Sequence, residues 1–280
     1  MNLKELARQY FTAVNCYDVE AVRNLVHPNY IQHNPYLATG RQPFLDFLPK
    51  LSVHRSRIEN IRILQDKNYV IMHHLWHNAE PFGASEMVAF HIIRFDESVT
   101  IAEHWNVVMP NIQGDLSGRT MFDGVREVSD IEKTESNRAV VAEFMQTLIG
   151  VDSQSLESVL KRFVRQDLIQ HSPHYKDGIE GWSQFFLDVK NKMSYARIHR
   201  VFAEGCFVVV VSDAIVAGKN CAIYDLFRLA NGQIAEHWDV MQEIPAGKTA
   251  NDNTMFSFDR EWVKTQFAQV SKNHHFHAEN

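Results

Sequence analysis

Two ionisable side chains interrupt apolar segments of this sequence and could act as acids or bases. His91 begins the segment HIIRF, and Asp225 lies within the segment YDLFRL. Burial of such a group is costly unless the group is paired or used. Desolvation also raises the pKa of a carboxyl group, which makes it a better base near neutral pH. Asp225, with Phe227 nearby, could therefore remove a proton next to a carbonyl group, although each residue could equally be a hydrogen-bonded part of the core.

Three short motifs occur twice in the same order, which indicates a duplicated unit. IQHNP returns as IQHSP, IAEHWNV returns as IAEHWDV, and TMF recurs; the positions are 31–35 and 169–173, 101–107 and 234–240, and 120–122 and 254–256. The period of about 135 residues is far longer than that of a solenoid repeat, so each copy can hold its own core. We expect domains at 1–125 and 130–256, followed by a carboxyl-terminal helix and tail at 257–280.

Within each copy, helical spacing comes first and strand-like segments follow. Two helices precede the IQH motif, and a third helix, rich in aromatic residues, follows it. Four strands then complete each copy, at 57–65, 68–77, 85–95 and 101–109, and at 195–203, 206–216, 220–229 and 233–242. Helices followed by a meander of strands predict the α+β class, with helices on one face of an antiparallel sheet.

Hairpin geometry predicts which side chains share a face of each sheet. The dipeptide Asn231-Gly232 is a strong signal for a two-residue turn, and residues that lie opposite one another share a face. The rows predicted in this way are Ser212, Asp225 and Trp238 in the second copy, and His74, His91 and Trp105 in the first. Phe227, Glu236 and Glu103 are the remaining candidate residues for the wall of a substrate pocket. His237 and Asp239 fall on the opposite face in this register.

The overall composition argues against several classes of function. The net charge of −6 gives no electrostatic reason to bind nucleic acid. No run of about 20 apolar residues and no signal-like beginning is present, so we expect neither a membrane span nor secretion. The three cysteines show no motif spacing, which favours free thiols and a cytoplasmic location.

The motifs taken together resemble the SnoaL-like family. The resemblance depends on Y-IQH-N-P, the glycine and aromatic helix after it, the D-x-F-R-x-x-N-G-x-I-x-EHWDV hairpin, and N-x-N-TMF. More narrowly, the chain resembles bacterial proteins predicted to be SnoaL-like aldol-condensation enzymes. The resemblance implies two tandem cones of the cystatin or nuclear-transport-factor-2-like fold, each with a pocket at its open end. Family members pair through sheet faces, so the two copies are expected to pack as an intramolecular pseudo-dimer.

The resemblance also implies a chemistry. The polyketide cyclases of this family close a ring by aldol condensation without a metal or an organic cofactor, and they use a pocket aspartate with a nearby histidine. Asp225 matches that aspartate, and His171 and His33 of the IQH motifs would lie at or near the pocket mouths. In the first copy, His91 or His74 would have to replace the carboxylate.

The first reading is therefore a cofactor-free lyase, isomerase or cyclase that acts on a small, largely apolar carbonyl compound. In this reading Asp225 is the base, His171 the donor, and Trp238 a wall of the pocket. The alternative is a non-catalytic protein of the same fold that binds a small hydrophobic molecule, because apolar pockets with a few polar groups serve both purposes.

A third reading is a metal site in the first copy. His33, His74 and His91 could converge with Glu103 nearby, and imidazole suits zinc or iron. No local spacing of ligands supports this reading. Because the resemblance to the cyclases also implies chemistry without a cofactor, we expect neither a metal nor an organic cofactor.

Overall fold

The structure is a computed structural model that describes residues 2–112, 116–189 and 193–258. The first copy forms a five-stranded sheet of β1 (Val26–Gln32), β2 (Arg57–Asp66), β3 (Tyr69–His77), β4 (Glu86–Phe95) and β5 (Ile101–Pro110). The second copy forms another, of β6 (Val164–Gln170), β7 (Met193–Glu204), β8 (Phe207–Val216), β9 (Lys219–Ala230) and β10 (Gln233–Glu243). The strand orders, β1-β5-β4-β3-β2 and β6-β10-β9-β8-β7, are the same in both sheets. The predicted α+β class and two-unit architecture are confirmed.

Three helices accompany each sheet. They are α1 (Leu3–Asn15), α2 (Val19–Leu25) and α3 (Arg41–His54), and α4 (Thr134–Leu148), α5 (Leu156–Phe163) and α6 (Gly178–Val189). The Asn2 side chain begins α1 by accepting hydrogen bonds from the backbone of Lys4 and Glu5, which satisfies donors that lack helical partners. In the described part of the chain, no helix combines the length and apolar character that a membrane span requires.

Two further sequence predictions concern the carboxyl-terminal segment and the boundaries of the two copies. The predicted carboxyl-terminal helix and the histidines near the end of the chain lie outside the described residues. The domain boundaries at 125, 130 and 256 remain predictions.

Each sheet contains a fifth strand that the sequence pattern did not reveal. β1 pairs in parallel with β5, and β6 pairs in parallel with β10, at one edge of each sheet. The stretch containing Pro28 therefore belongs to an edge strand and not to the end of a helix, and an edge is where a sheet tolerates proline. This strand ends in the IQH motif, so it places Gln32 beside His104 and Gln170 beside His237.

A β-bulge near the start of β10 shifts the strand register by one residue. Ile234 pairs with Leu229 as predicted, but the next pair is Glu236 with Arg228. Ala235 is therefore the extra residue of the bulge. The first copy has the same irregularity at the start of β5. Because side chains alternate between the two faces of a strand, such a shift moves every later side chain to the opposite face.

Several predicted pairings are wrong for this reason. The pairings of β8 with β9 and of β3 with β4 differ from the predicted ones by two residues. Asp225 pairs with Asp239 and Val210 instead of Trp238 and Ser212, and His91 pairs with Asn106 and Met72 instead of Trp105 and His74. Trp238 and Trp105 consequently face away from the helices. His237 and Asp239, which the sequence places outside, face the interior of the second copy.

The outer faces of the two sheets pack against each other. One apolar cluster contains residues from both copies, including Trp105 and Val107 of β5 and Trp238 and Val240 of β10. Two further clusters lie between the helices and the sheet of each copy. This face-to-face packing is the arrangement expected of an intramolecular pseudo-dimer.

Two segments, which we name the straps, cross between the copies. The first strap, residues 120–125, follows the first copy but contacts the second, where Trp238 Nε1–H donates to the Asp123 carbonyl at 3.0 Å. The second strap, residues 250–258, follows the second copy but contacts the first, where the rings of Phe258 and Trp105 stack 4.5 Å apart. Each copy is therefore completed by a segment that follows the other copy.

Candidate functional site

The interior of the first copy contains a cavity of about 580 Å³, a volume typical of small-molecule pockets. Its walls are mainly apolar and include Phe11, Phe44, Phe47, Leu51, Trp76 and Met87. The polar part of the lining includes Asn34, His91, His104, Asn106 and, from the second copy, Gln242. Among the described residues that line the cavity there is no Asp, Glu, Lys or Arg.

A chain of hydrogen bonds fixes the proton positions of the two cavity histidines. The backbone N–H of Asn34 donates to Gln32 Oε1 at 2.9 Å, so Gln32 Nε2 is the donor that faces His104 Nδ1 at 3.3 Å. His104 then carries its proton on Nε2 and donates it to His91 Nδ1 at 2.8 Å. A neutral His91 is left with its proton on Nε2. His91 therefore offers a hydrogen-bond donor and not a basic lone pair.

The histidines of this region are neutral at ordinary pH. Burial lowers the pKa of His104 to about 3, and the charge of His33 adds to the effect. Burial also lowers the pKa of His91 well below its usual value, with smaller contributions from His74 and His104. The His74 ring lies 5.0 Å from that of His91, and burial lowers its pKa to about 3 as well.

Three residues that line the cavity each have a buried nitrogen that lacks a hydrogen-bond partner in the described part of the chain. These atoms are Trp76 Nε1, His91 Nε2 and Gln242 Nε2. The rings of Trp76 and His91 are stacked 5.7 Å apart. Gln242 Oε1 accepts a hydrogen bond from the Val108 backbone at 3.0 Å, which leaves the amide NH₂ group unpaired. All three atoms are donors, and an unsatisfied buried donor costs about 1–3 kcal/mol.

The equivalent interior of the second copy is occupied by aromatic side chains. The fully buried His237 ring stacks on Trp182 at 5.0 Å and on Phe227 at 4.9 Å, and it meets Tyr175 edge-on at 5.6 Å. Asp225 faces this filled interior and is also fully buried. The sequence predicts that Asp225 faces a cavity of the second copy beside Trp238. In the structure its carboxylate is surrounded by packed rings, and Trp238 lies on the opposite face of the sheet.

Asp225 has two polar contacts within this core. Its Oδ1 accepts from the Tyr195 hydroxyl at 3.0 Å and lies 3.1 Å from His237 Nε2. Burial raises the pKa of Asp225, and the contact with His237 opposes that rise. The direction agrees with the expectation for a desolvated carboxyl group.

Differences in side-chain size explain why only one interior is hollow. By the repeat alignment, Leu37, Phe44, Leu48 and Ile93 of the first copy correspond to Tyr175, Trp182, Phe186 and Phe227 of the second. Every one of these replacements is larger in the second copy. Leu37 lines the cavity, whereas Tyr175 is buried in the core cluster, so the second copy fills its interior with its own residues.

In the first copy, the IQH and EHW motifs meet on the outer face of the sheet and not in a pocket. The His33 ring stacks on Trp105 with 4.4 Å between centroids. His33 Nε2 lies 2.8 Å from Glu103 Oε1, and Nδ1 lies 2.6 Å from the Thr254 carbonyl of the second strap. Glu103 in turn accepts from Arg94 Nε at 2.7 Å. Both ring nitrogens of His33 thus face oxygen atoms.

The second copy repeats this arrangement with the first strap. His171 stacks on Trp238 at 4.5 Å, and its Nδ1 lies 2.6 Å from Asp123 Oδ1. Glu236 lies 3.4 Å from His171 Nε2 and accepts from Arg228 at 2.8 Å. Burial would raise the pKa of Glu236, but the nearby His171 ring and the hydrogen bonds and charge of Arg228 lower it below its usual value. These groups have a structural role, because they attach the straps.

The structure divides the predicted site residues into three groups. Asp225, Ser212 and Phe227 face the interior of the second copy, His91 and His74 belong to the interior of the first, and His33, His171, Glu103, Glu236, Trp105 and Trp238 lie on the outer faces. The predicted set of base, donor and wall does not assemble, because His171 and Trp238 lie on the other side of the sheet from Asp225. The predicted convergence of His33 and Glu103 with His74 and His91 fails for the same reason.

The sequence prediction missed several polar residues of this region. They include His104, Asn106 and Gln242, which line the first-copy cavity, and Gln32, which contacts His104. The repeated motif places His104 and Asn106 two residues apart on a strand, so the sequence does indicate that they share a face. The prediction put them on the wrong face because it did not include the bulge. Gln242 had no signal in the sequence, since only the packing of the two copies brings it to the cavity.

Comparison with known proteins gives one family match. The model of the SnoaL-like domain matches residues 7–104, which span α1 to β5 and most of the cavity lining. No curated protein was found to match the chain.

Solved structures give weaker likenesses. They include a candidate ketosteroid isomerase from Kribbella flavida, at 15% identity, 41% coverage of this chain, 84% of that chain and a TM-score of 0.36. An NTF2-like protein of unknown function from Cytophaga hutchinsonii has 22% identity, coverages of 38% and 89%, and a TM-score of 0.32. An LEH-like epoxide hydrolase from M. tuberculosis has 16% identity, coverages of 39% and 85%, and a TM-score of 0.32. At these scores the likenesses carry no argument about activity. The predicted resemblance is instead confirmed by the family model, which matches the first copy over residues 7–104 to the SnoaL-like domain.

Proposed function

We propose that the first copy binds a small, largely apolar molecule through a carbonyl-type oxygen. The observation that carries the proposal is the set of unpaired buried donors on Trp76, His91 and Gln242, three residues that line a cavity whose described lining has no charged side chain. A ketone, aldehyde or ester oxygen accepts hydrogen bonds and brings no donor of its own that would need a partner. An ammonium or carboxylate group would be desolvated there without a counter-ion, which is costly.

The cofactor-free lyase, isomerase or cyclase predicted from the sequence is the second candidate. Its chemistry needs a donor to the enolate oxygen and also a base. The neutral His91 ring supports the first requirement, since a fixed N–H donor can stabilise developing negative charge. The second requirement has less support, because Asp225 lies in the interior of the other copy. We therefore place binding before catalysis.

The binding proposal can be tested with two probes that differ only in the acceptor oxygen. We expect 2-acetylnaphthalene to bind more tightly than 2-ethylnaphthalene by roughly fivefold, since one net hydrogen bond is worth about 1 kcal/mol. His91→Phe should reduce the affinity for the ketone to that for the hydrocarbon, while the hydrocarbon affinity changes little. Titration calorimetry on the full chain measures both affinities. Equal affinities of the two probes for the wild-type protein would contradict the proposal.

Catalysis can be tested separately by hydrogen exchange at carbon. In D₂O, an acid/base enzyme would exchange the methyl protons of bound 2-acetylnaphthalene for deuterium, and proton NMR would detect the loss of their signal. We expect exchange at the uncatalysed rate. Protein-dependent exchange that His91→Phe abolishes would establish the second candidate in place of simple binding.

A further inference from the structure

The second copy places three potential metal ligands together in its core. Asp225 and Asp239 are paired across β9 and β10, and His237 lies two residues from Asp239 on the same face. One ligand atom from each residue can be chosen so that all three lie within 4.8 Å of one another. The 3.1 Å between His237 Nε2 and Asp225 Oδ1 is close to the separation of two ligands that each lie about 2.1 Å from one metal ion.

The charges of these residues are not balanced by the described protein groups. Asp225 and His237 are fully buried, and Asp239 is 5% exposed. Among the described residues, Asp225 forms an ion pair with His237, and no ion pair is found for Asp239. Asp225 Oδ2 and Asp239 Oδ1 are buried and have no hydrogen-bond partner in the described part of the chain. Two buried carboxylates therefore face at most one imidazolium, and an uncompensated buried charge is strongly unfavourable.

The surroundings of His237 are those of a metal ligand. Gln170 Oε1 lies 2.9 Å from His237 Nδ1, so Nδ1 donates its proton to the amide oxygen. Metal-bound histidines commonly donate their second N–H to a carbonyl or carboxylate in this way. In the neutral ring, His237 Nε2 then presents a lone pair toward the Asp225 carboxylate. Two electron-rich atoms at that distance need either a proton or a metal ion between them.

We propose that Asp225, His237 and Asp239 bind a divalent first-row metal ion of the Zn²⁺ or Mn²⁺ class. One imidazole and two carboxylates form a nitrogen and oxygen ligand set that suits these ions. Because the ligands are buried, the ion is acquired as the second copy folds, and its role is to stabilise that copy. The first copy provides a natural control, since the equivalent positions are His91, His104 and Asn106 and contain no carboxylate.

The proposal is tested by the metal content of the full chain, made without an affinity tag in medium supplemented with Zn²⁺ or Mn²⁺. Elemental mass spectrometry should find about one equivalent of the metal per chain in the wild-type protein. Asp239→Asn and Asp225→Asn, which keep the side-chain size, should each lose it, and His91→Gln should retain it. The sequence also contains His274, His275 and His277, which are unchanged in all these variants. A metal content that is equal in wild type and Asp239→Asn therefore identifies binding elsewhere and overturns the proposal.

A second measurement keeps the proposal testable if a variant folds poorly. Dialysis of the wild-type protein against a chelator should lower its melting temperature by several degrees, and the added metal should restore it. The melting temperature of a folded Asp239→Asn should not respond to either treatment. Wild-type protein that contains no metal from either medium, and does not respond to the chelator, shows that a shared proton balances the carboxylates and overturns the proposal.

Discussion

Arg138 of α4 and Asp66 at the end of β2 form an ion pair that joins the two copies and is shielded from solvent. Arg138 Nη1 lies 2.6 Å from Asp66 Oδ2, and the two side chains are only 4% and 5% exposed. The same carboxylate oxygen accepts a hydrogen bond from the Ala203 backbone at 3.2 Å. Asp66 belongs to the first copy and its partners to the second, so this carboxylate fixes the relative position of the two sheets.

We expect Asp66→Asn to lower the free energy of unfolding by about 3 kcal/mol, because it leaves the buried Arg138 charge without its closest partner. Equilibrium unfolding in guanidinium chloride measures the change. Glu243→Gln is the matched control, because it breaks a surface pair of the same 2.6 Å length with Lys219 and should have little effect. A similar small effect of both substitutions would show that the buried pair contributes nothing to the interface.

The first strap depends on the absence of a side chain at Gly124. A Cβ atom there would lie 2.7 Å from Glu236 Oε2 and 2.8 Å from His171 Nε2, and the residue has φ +84°. We expect Gly124→Ala to destabilise the protein by more than about 2 kcal/mol, since strain from a positive φ adds to a steric clash. Gly118→Ala is the control, because Gly118 has φ +76° with nothing within 4 Å. Equal melting temperatures of the two variants would argue against close contact between the first strap and the side chains of Glu236 and His171.

The buried histidines of the first copy make its stability dependent on pH. Burial lowers the folded-state pKa of both His74 and His104 to about 3, whereas in the unfolded chain it is about 6.5. Between these values the unfolded state binds more protons, so stability is complete above about pH 6.5 and falls as the pH is lowered toward 3. Each ring should contribute a loss of about 1.4 kcal/mol per pH unit in this window.

Unfolding by urea at a series of pH values between about 7 and 5 would measure this slope. His74→Gln should reduce it, because the amide does not titrate. A control outside the group is His54, which is exposed at the end of α3; His54→Gln should leave the slope unchanged. Stability that is constant over this range would contradict the neutral, buried state of these rings.

The size differences between the copies predict that the cavity can be filled or opened by exchange of equivalent residues. The double variant Leu37→Tyr, Phe44→Trp should abolish binding of 2-acetylnaphthalene and leave the fold intact, as it copies the packing of the second interior. The reverse variant, Tyr175→Leu with Trp182→Phe, should cost roughly 2–4 kcal/mol of stability, because it leaves a space in a packed core. Binding assays and thermal unfolding of both variants check this. Undiminished binding in the filled variant would place the ligand elsewhere.

The duplicated architecture and the strands were predictable because they depend on local patterns. Hydrophobic periodicity gave eight of the strands approximately, and the repeated motifs gave the two-unit organisation. The parallel edge strands escaped prediction because β1 and β6 are short and pair with residues far along the chain. Long-range pairing of this kind has no local signal.

The candidate site was predicted less well, and a single residue explains most of the error. The extra residue at Ala235 reverses the faces of Glu236, His237, Trp238 and Asp239 relative to the predicted hairpin. The two copies agreed in the predicted register, but that agreement gave no protection, because the duplication also copied the bulge. Asp225 does face the interior of the second copy, since β9 lies before the bulge, but its cross-strand neighbours are Asp239 and Val210 and not Trp238 and Ser212.

The crossing of the straps also determines when the surfaces around Trp238 and Trp105 can be covered during translation. The strap that covers Trp238 has already been made when β10 leaves the ribosome. The Trp105 surface, in contrast, waits for Phe258, which is made 153 residues later. At synthesis rates of about 5–20 residues per second, the outer face of the first sheet stays uncovered for roughly 8–30 s. In that interval the nascent chain exposes the apolar surface around Trp105, which makes the first copy the part most in need of chaperone protection.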